Sequence, residues 1–430
     1  MESSRFPDID KQPVIELVVL PELEAPLEDA TETKILNNKS RPSINVQLAT
    51  LYYTIFLLGF QDGSLGPLLP VIQRIYHVNF TVVSMIYVFS CLGILAGAMM
   101  NVQPGQKLGF GKSTIGAISQ GIGCCLLAPE PPFEVIVLAY MIIGFGEALQ
   151  NVQANAFVAA FGSNTKLGIL HASYGTGALI APLISTQFSQ MRQWSLYWLV
   201  PLGLAVVNIV LLVWVFRLRH RSDLVDEPVV VTETTHRPGK WKEILSMKAV
   251  HALSFFVLVY CGVEVTLGGW IVTFIIDERH GSPSAGYISS GFFGGLMVGR
   301  LALLWVNKKI GTRRVIFAYA ILAMSLEFII WFIPNLIGNA VAIAFIGVLM
   351  GPMFPLLMNH AHLLIPPSLL SASLGWIVGV GTTGICFLPF IQGALANKFG
   401  IGSLQPFMVI MMCILIGLWA VVPKVQRHVE

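Results

Sequence analysis

Long apolar runs of about 20 residues follow one another along this chain, each cut off by a short polar break. A helix rises 1.5 Å per residue, so a run of that length matches a hydrocarbon core about 30 Å thick. The pattern predicts twelve helices, over 46–76, 81–104, 113–128, 133–161, 167–191 and 195–216, then 250–277, 284–306, 315–333, 336–365, 369–398 and 403–422. The fourth and fifth are separated only by the polar break Gly162-Ser163-Asn164-Thr165-Lys166. Three segments lack the pattern. Residues 1–45 are acidic and contain proline, with no apolar signal-peptide core, and read as a disordered cytoplasmic tail. Residues 217–249 carry both charge signs and two prolines and read as a cytoplasmic linker, and residues 423–430 read as a short tail.

Composition agrees. The 430 residues are 55% hydrophobic and 11% charged, whereas a soluble domain carries roughly 25% charge. The sign pattern orients the chain. With both termini in the cytoplasm, the inner segments hold Lys107, Lys112, Lys166, the basic residues of the linker, Lys308, Lys309, Arg313 and Arg314, while the outer loops hold only Arg74, Arg192, Arg279 and Lys398. An odd number of helices would spoil that asymmetry. All six cysteines fall inside apolar runs, so no disulfide framework is expected, and the adjacent Cys124 and Cys125 read as packing residues.

The two halves repeat. Asp62-Gly63-Ser64-Leu65-Gly66 pairs with Glu264-Val265-Thr266-Leu267-Gly268 at an offset of 202 residues. The same offset pairs Gly93 and Gly97 with Gly295 and Gly299, glycines expected to let neighbouring helices approach closely and to serve the gate, and Lys107-Leu108-Gly109 with Lys309-Ile310-Gly311. Further on the offset slips, and Gly177 and Pro182 match Gly384 and Pro389. The fold expected is an all-α integral membrane protein of twelve transmembrane helices in two pseudo-symmetric six-helix bundles, 46–216 and 250–422.

The loop Gln106-Lys107-Leu108-Gly109-Phe110-Gly111-Lys112 resembles the motif between the second and third helices of the major facilitator superfamily, with Gln106 at its acidic position. Within that superfamily the chain is similar to the fucose-permease-like branch and its fungal bypass-of-stop-codon members. The residues that carry this are Gly144-Phe145-Gly146 with Asn151 and Asn155, the run Leu170-His171-Ala172-Ser173-Tyr174-Gly175-Thr176-Gly177, Tyr260-Cys261-Gly262-Val263-Glu264 with Gly268-Gly269-Trp270, and Gly351-Pro352-Met353-Phe354-Pro355. The resemblance implies transport by alternating access. It also implies that acids on the first and fourth helices, here Asp62 and Glu147, handle protons and solute.

Asp62, Glu147 and Glu264 sit near the middle of their apolar runs. An ionised acid at mid-membrane costs roughly 2.5–3.5 kcal/mol or more, so such groups face a partner or a wet cavity and are functional by default. Burial favours the neutral form of a carboxylate, which is what proton coupling requires. All three are read as proton-coupling candidates, against the alternative that they pin helices together. Glu147, Asn151 and Asn155 share one helix face and could contact solute hydroxyls, or bond neighbouring helices. Tyr174, Trp270 and Trp376 complete the candidate substrate-binding set, the tryptophans by stacking on a sugar face or merely by packing. Lys107, His171 and Arg300 are the candidate gate residues. Glu327, on a peripheral helix, reads as structural. His360 and His362 point to different faces of one helix, so no metal site is expected.

No nucleotide-binding loop and no paired catalytic acids with a local signature are present, so neither ATP drive, nor enzymatic activity, nor any cofactor is expected. The reading is a secondary active carrier of a small polar solute such as a sugar, proton-coupled, acting as a monomer in the plasma or vacuolar membrane, with no nucleic-acid partner. The alternatives are an exporter or lipid-type carrier, and a non-transporting membrane sensor. Orientation is directly testable. A cysteine introduced at Thr232 in the linker should resist a membrane-impermeant thiol reagent added to intact cells and react after permeabilisation; labelling from outside would overturn the topology.

Overall fold

The computed structural model describes residues 43–102, 109–161, 163–217 and 240–424; the tails, most of the linker and the loop carrying Gln106 and Lys107 lie outside these. Among the described residues, nine helices are long and apolar enough to cross a membrane, and two bent pairs, Ile44–Gly63 with Leu65–Ile75 and Pro283–Ala302 with Leu304–Ile310, bring the number to eleven. The seventeen-residue helix Gly111–Leu127 occupies the third of the twelve expected places. It meets the lower end of the range of about 17–25 residues that a span requires, so the observed helices agree with twelve.

Breaks within spans have local causes. The first span bends by 41° between Gly63 and Leu65. Pro67 has no N–H to give the carbonyl of Gly63, and the Ser64 hydroxyl donates to the Gln61 carbonyl at 2.7 Å instead of continuing the ladder. Asp62 therefore lies immediately before a loosened turn. The tenth span, Leu336–Met350 and Met353–Leu364, is interrupted at Gly351-Pro352 for the same reason.

Each half is built alike. The first span packs on the fifth (Asn164–Ser189), the second (Met85–Val102) on the fourth (Phe133–Ala159), and the third on the fourth and on the sixth (Leu199–Phe216). Six places on, the seventh (Lys248–Glu278) packs on the eleventh (Pro367–Phe399), the eighth on the tenth, and the ninth (Thr312–Phe332) on the tenth and on the twelfth (Leu404–Val421). Small residues make this possible, because in lipid helices associate mainly through close packing and polar contacts. A Cβ on Gly93 would fall 1.9 Å from the Met141 carbonyl oxygen, and one on Gly299 would fall 2.0 Å from that of Val348. Gly59 and Gly177 approach the backbones of Tyr174 and Phe56 in the same way.

The contacts between halves are the first span with the seventh, the second with the eleventh and the fifth with the eighth. Near the arginine-poor outer ends they are tight. A Cβ on Gly66 would meet the Gly268 carbonyl oxygen at 2.5 Å, one on Gly393 would meet Ser84, and the Gln187 amide bonds the Tyr287 hydroxyl. Towards the basic inner ends, Gly168, Gly375 and Gly379 have open space beside them, and the polar side chains of Asn151 and His171 are exposed. The halves are thus packed closely towards their outer ends and less closely towards the lysine- and arginine-rich inner ends.

The glycine pairs differ in role from a gate. Gly93 and Gly97 join the second span to the fourth, and Gly295 and Gly299 join the eighth to the tenth, each within one half. Gly97→Leu and Gly299→Leu should therefore lower folded yield and thermal stability together with transport, since overpacking against rigid backbone costs about 1–3 kcal/mol or more. Thermal unfolding of detergent-purified protein checks this, and a variant with wild-type stability but no transport would restore the gating role.

Candidate functional site

A cavity of about 110 Å³ lies between the halves, lined by all three predicted acids, Asp62, Glu147 and Glu264. They enter it from the first, fourth and seventh spans, and their surroundings differ. Asp62 is exposed to the cavity, and its Oδ2 accepts a hydrogen bond from the Tyr174 hydroxyl at 2.6 Å, from the fifth span. Glu147 is buried, and its Oε1 has no hydrogen-bond partner. Glu264 has Tyr260 one turn before it and lies within electrostatic range of the Arg300 guanidinium. Asp62 is close enough to both other acids to interact with them as like charges. The acid of the second half thus has a counter-charge, whereas Asp62 and Glu147 face each other without one.

The polar cluster on the fourth span divides by face. Gln150 is fully buried in a chain of hydrogen bonds: its amide donates to Gln120 Oε1 at 3.1 Å, Asn208 donates to Gln150 Oε1 at 2.7 Å, and Thr54 donates to Asn208 Oδ1 at 2.8 Å. That chain ties together the third, fourth, sixth and first spans. Gln153 donates to Asn101 Oδ1 at 3.1 Å on the second span. Asn155 donates to Asn151 Oδ1 at 2.6 Å, and this pair faces the inner opening, outside the set of residues that line the cavity between the acids.

Of the predicted aromatics, Tyr174 lines the cavity and Trp270 does not. Trp270 is fully buried, its indole N–H donates to the Pro389 carbonyl at 3.0 Å, and its ring packs beside Phe80 and Tyr87. It belongs to the outer closure between halves. Trp376 is half-buried nearer the inner end and meets Trp241 edge-on. His171 and Arg300 face each other across the halves within electrostatic range, and Arg300 also donates to the Gly351 carbonyl at 3.4 Å. Lys107 lies outside the described residues. Its motif neighbour Lys112 is buried and donates to the carbonyls of Met100 and Asn101, at the C-terminal end of the second span, where a cation is favoured. Glu327 is fully buried on the ninth span, apart from the cavity.

Three cavity residues escape the sequence pattern: Gln61, Tyr87 and Tyr140. All are buried, and the Gln61 amide and both tyrosine hydroxyls lack hydrogen-bond partners. The neighbour of Asp62 could have been suspected from its position alone. The tyrosines carry no such signal, because tyrosine is as common in packing as in binding. The cysteines require a correction. Cys91 of the second span and Cys386 of the eleventh form a disulfide across 295 residues of sequence. The expectation failed because membership of an apolar run says nothing about which runs meet. Cys124 is buried and Cys125 exposed, and both are free.

A sequence profile described as Major Facilitator Superfamily matches residues 51–389. The chain is 23% identical over 440 residues to Bypass of stop codon protein 6 of Saccharomyces cerevisiae, covering 94% of this chain and 87% of that protein. It is 25% identical over 391 residues to a glucose/galactose transporter of Brucella abortus, covering 84% and 90%. The fold matches the structure of the E. coli fucose:proton symporter FucP with a TM-score of 0.59 at 16% identity, over 88% of this chain and 99% of that one.

The Tyr174–Asp62 bond gives a direct test. A hydrogen bond to a charged group contributes about 1.5–3 kcal/mol. Tyr174→Phe should therefore slow transport roughly 10- to 100-fold with unchanged folded yield. Combined with Asp62→Asn it should add little further loss, since the two side chains act as one unit. Additive losses in a double-mutant cycle would show that they act separately.

Proposed function

The chain belongs to the Major Facilitator Superfamily, and we propose that it is a proton-coupled symporter of a small, hydroxyl-rich solute of the sugar class. It is a multi-pass membrane transporter and not an enzyme. The observation that carries the proposal is the lining of the cavity: three acids from both halves, together with Gln61, Tyr87 and Tyr140, whose buried polar side-chain groups have no partner within the protein. Buried polar groups left unpaired are costly, about 1–3 kcal/mol each. A solute with several hydroxyls can pair with them all, whereas an apolar solute would leave them stranded. This favours a polar solute over a lipid-type cargo, and the sugar-transporting relatives point the same way.

Transport follows from two rigid halves that rock about the central cavity. Asp62 and Glu147 interact as like charges with no cation beside them, an arrangement suited to taking up and releasing one proton per cycle. Glu264 is balanced by Arg300, which suits a fixed charge at the seam rather than a proton carrier. With the basic face in the cytoplasm, proton and solute would leave together into the cell from a monomer.

The test is uptake into proteoliposomes under an imposed proton gradient, with a panel of hexoses, pentoses and polyols. Asp62→Asn or Glu147→Gln should abolish accumulation against a gradient while sparing exchange of solute across the membrane, because the neutral site can still rock when loaded. Glu264→Gln should impair both, through the stranded Arg300. Tyr87→Phe and Tyr140→Phe should each raise the half-saturating solute concentration about 5- to 30-fold, equivalent to about 1–2 kcal/mol. If all three acid variants accumulate solute like wild type with unchanged pH dependence, the acids are structural and proton coupling is wrong.

A further inference from the structure

The Cys91–Cys386 disulfide is the covalent link between the two halves other than the linker itself, among the described residues. Cys91 lies on the second span and lines the central cavity beside Tyr87, Ser90 and Ile94, and Ile385, next to Cys386, lines the same cavity. The Cα atoms are 5.8 Å apart, within the distance a disulfide allows. The bond sits on the second-to-eleventh-span contact, one of the three seams between halves. Towards the outer end of that seam Gly393 of the eleventh span lies against Ser84, and beside it Gly269 of the seventh span lies against the Tyr87 hydroxyl.

We propose that Cys91 and Cys386 are a thiol–disulfide exchange site that holds the second and eleventh spans of the two halves together when oxidised and frees them when reduced by a low-molecular-weight thiol. For the cavity to open outward, the outer ends of the second and eleventh spans must part. The covalent bond lies near the middle of the second span, beside the central cavity, and limits how far the two spans can part, whereas the packing contacts around it can be broken and remade in each cycle. Both cysteines are buried and Cys91 lines the central cavity, so the exchange requires a small thiol to enter that cavity, and cytosolic thiols are kept reduced. The exchange balances as follows. The thiolate of one small thiol attacks one Sγ, forming a mixed disulfide and releasing the other cysteine as a thiol. A second small thiol attacks the mixed disulfide. Both cysteines end protonated, and the two small thiols leave as their own disulfide, having supplied the two electrons. The reverse, driven by a small-molecule disulfide, restores the lock.

The transport arm of the test rests on the proposed carrier function, and two other arms do not. The full chain with a protease site inserted at Thr232 is purified without reductant, cleaved and run on denaturing gels. The two halves should migrate as one species and separate on adding dithiothreitol, while Cys386→Ser should separate under both conditions. Hydrogen–deuterium exchange should rise on reduction in the outer parts of the second and eleventh spans, and Cys91→Ser and Cys386→Ser should show the raised exchange without reductant. Uptake by oxidised wild type should be at least about tenfold below that of reduced wild type, and Cys386→Ser should transport regardless of redox state. Halves that separate without reductant, even after treatment with oxidised glutathione, would overturn the site. Halves that stay joined while exchange and uptake ignore reduction would overturn the lock. An absence of uptake in every form, with the gel and exchange arms as expected, would count against the carrier reading and leave the lock standing.

Discussion

Lipid offers no hydrogen bonds, so every polar group on a membrane-spanning helix must find its partner inside the protein or face a wet cavity. That constraint sorts the polar residues of this chain into two kinds. Gln120, Gln150, Asn208 and Thr54 are linked by hydrogen bonds in a buried chain across four spans of the first half. Gln61, Tyr87, Tyr140 and Glu147 each have a buried polar atom without a partner, and all of them line the cavity between the halves. The first kind holds a half together. Unpartnered groups also occur away from the seam, the Glu327 carboxylate and the Gln405 amide among them, so what distinguishes the second kind is its place beside the three acids.

Rigidity within the halves is what confines motion to that seam. Glycine lets backbone lie against backbone between the second and fourth spans and between the eighth and tenth, and no side chain there can yield. Between the halves the contacts are fewer and lie mainly towards the outer ends, so the bundles can separate as bodies. Tyr174 and Arg300 cross-connect this arrangement. The first brings the fifth span to Asp62, and the second brings the eighth span to bear on both Glu264 and His171.

Much of this was legible in the sequence. Runs of apolar residues report lipid exposure directly, so the spans were readable, and the acids stood out because charge is expensive in them. Their convergence on one cavity could be anticipated from the repeat, which puts Asp62 and Glu264 at equivalent places. What was not legible depends on which helix faces meet. Trp270 reads the same whether it stacks on a solute or seals the outer contact, and only the placement of Pro389, Phe80 and Tyr87 decides it. Gly97 reads the same as a gate or a weld. Cys91 and Cys386 are 295 residues apart, and nothing local to either predicts the other.

The repeat also explains why the two halves are not equivalent in chemistry. At the offset of 202 residues that joins Asp62 to Glu264, Arg300 corresponds to Ala98. The cation that balances the second-half acid therefore has no counterpart in the first half. Further along, where the offset that joins Gly177 to Gly384 is 207 residues, Tyr174 corresponds to Gly381, so the hydroxyl that binds Asp62 has no counterpart at that place, and Glu264 instead has Tyr260 of its own span. Two copies of one helical plan have thus placed a charge-balanced acid on one side of the cavity and a hydroxyl-bonded acid beside an unpaired one on the other. A carrier with two identical acids would have no reason to load a proton on one rather than the other. Here the difference is built from substitutions on the helices packed against each acid, while the acids themselves keep their place in the repeat.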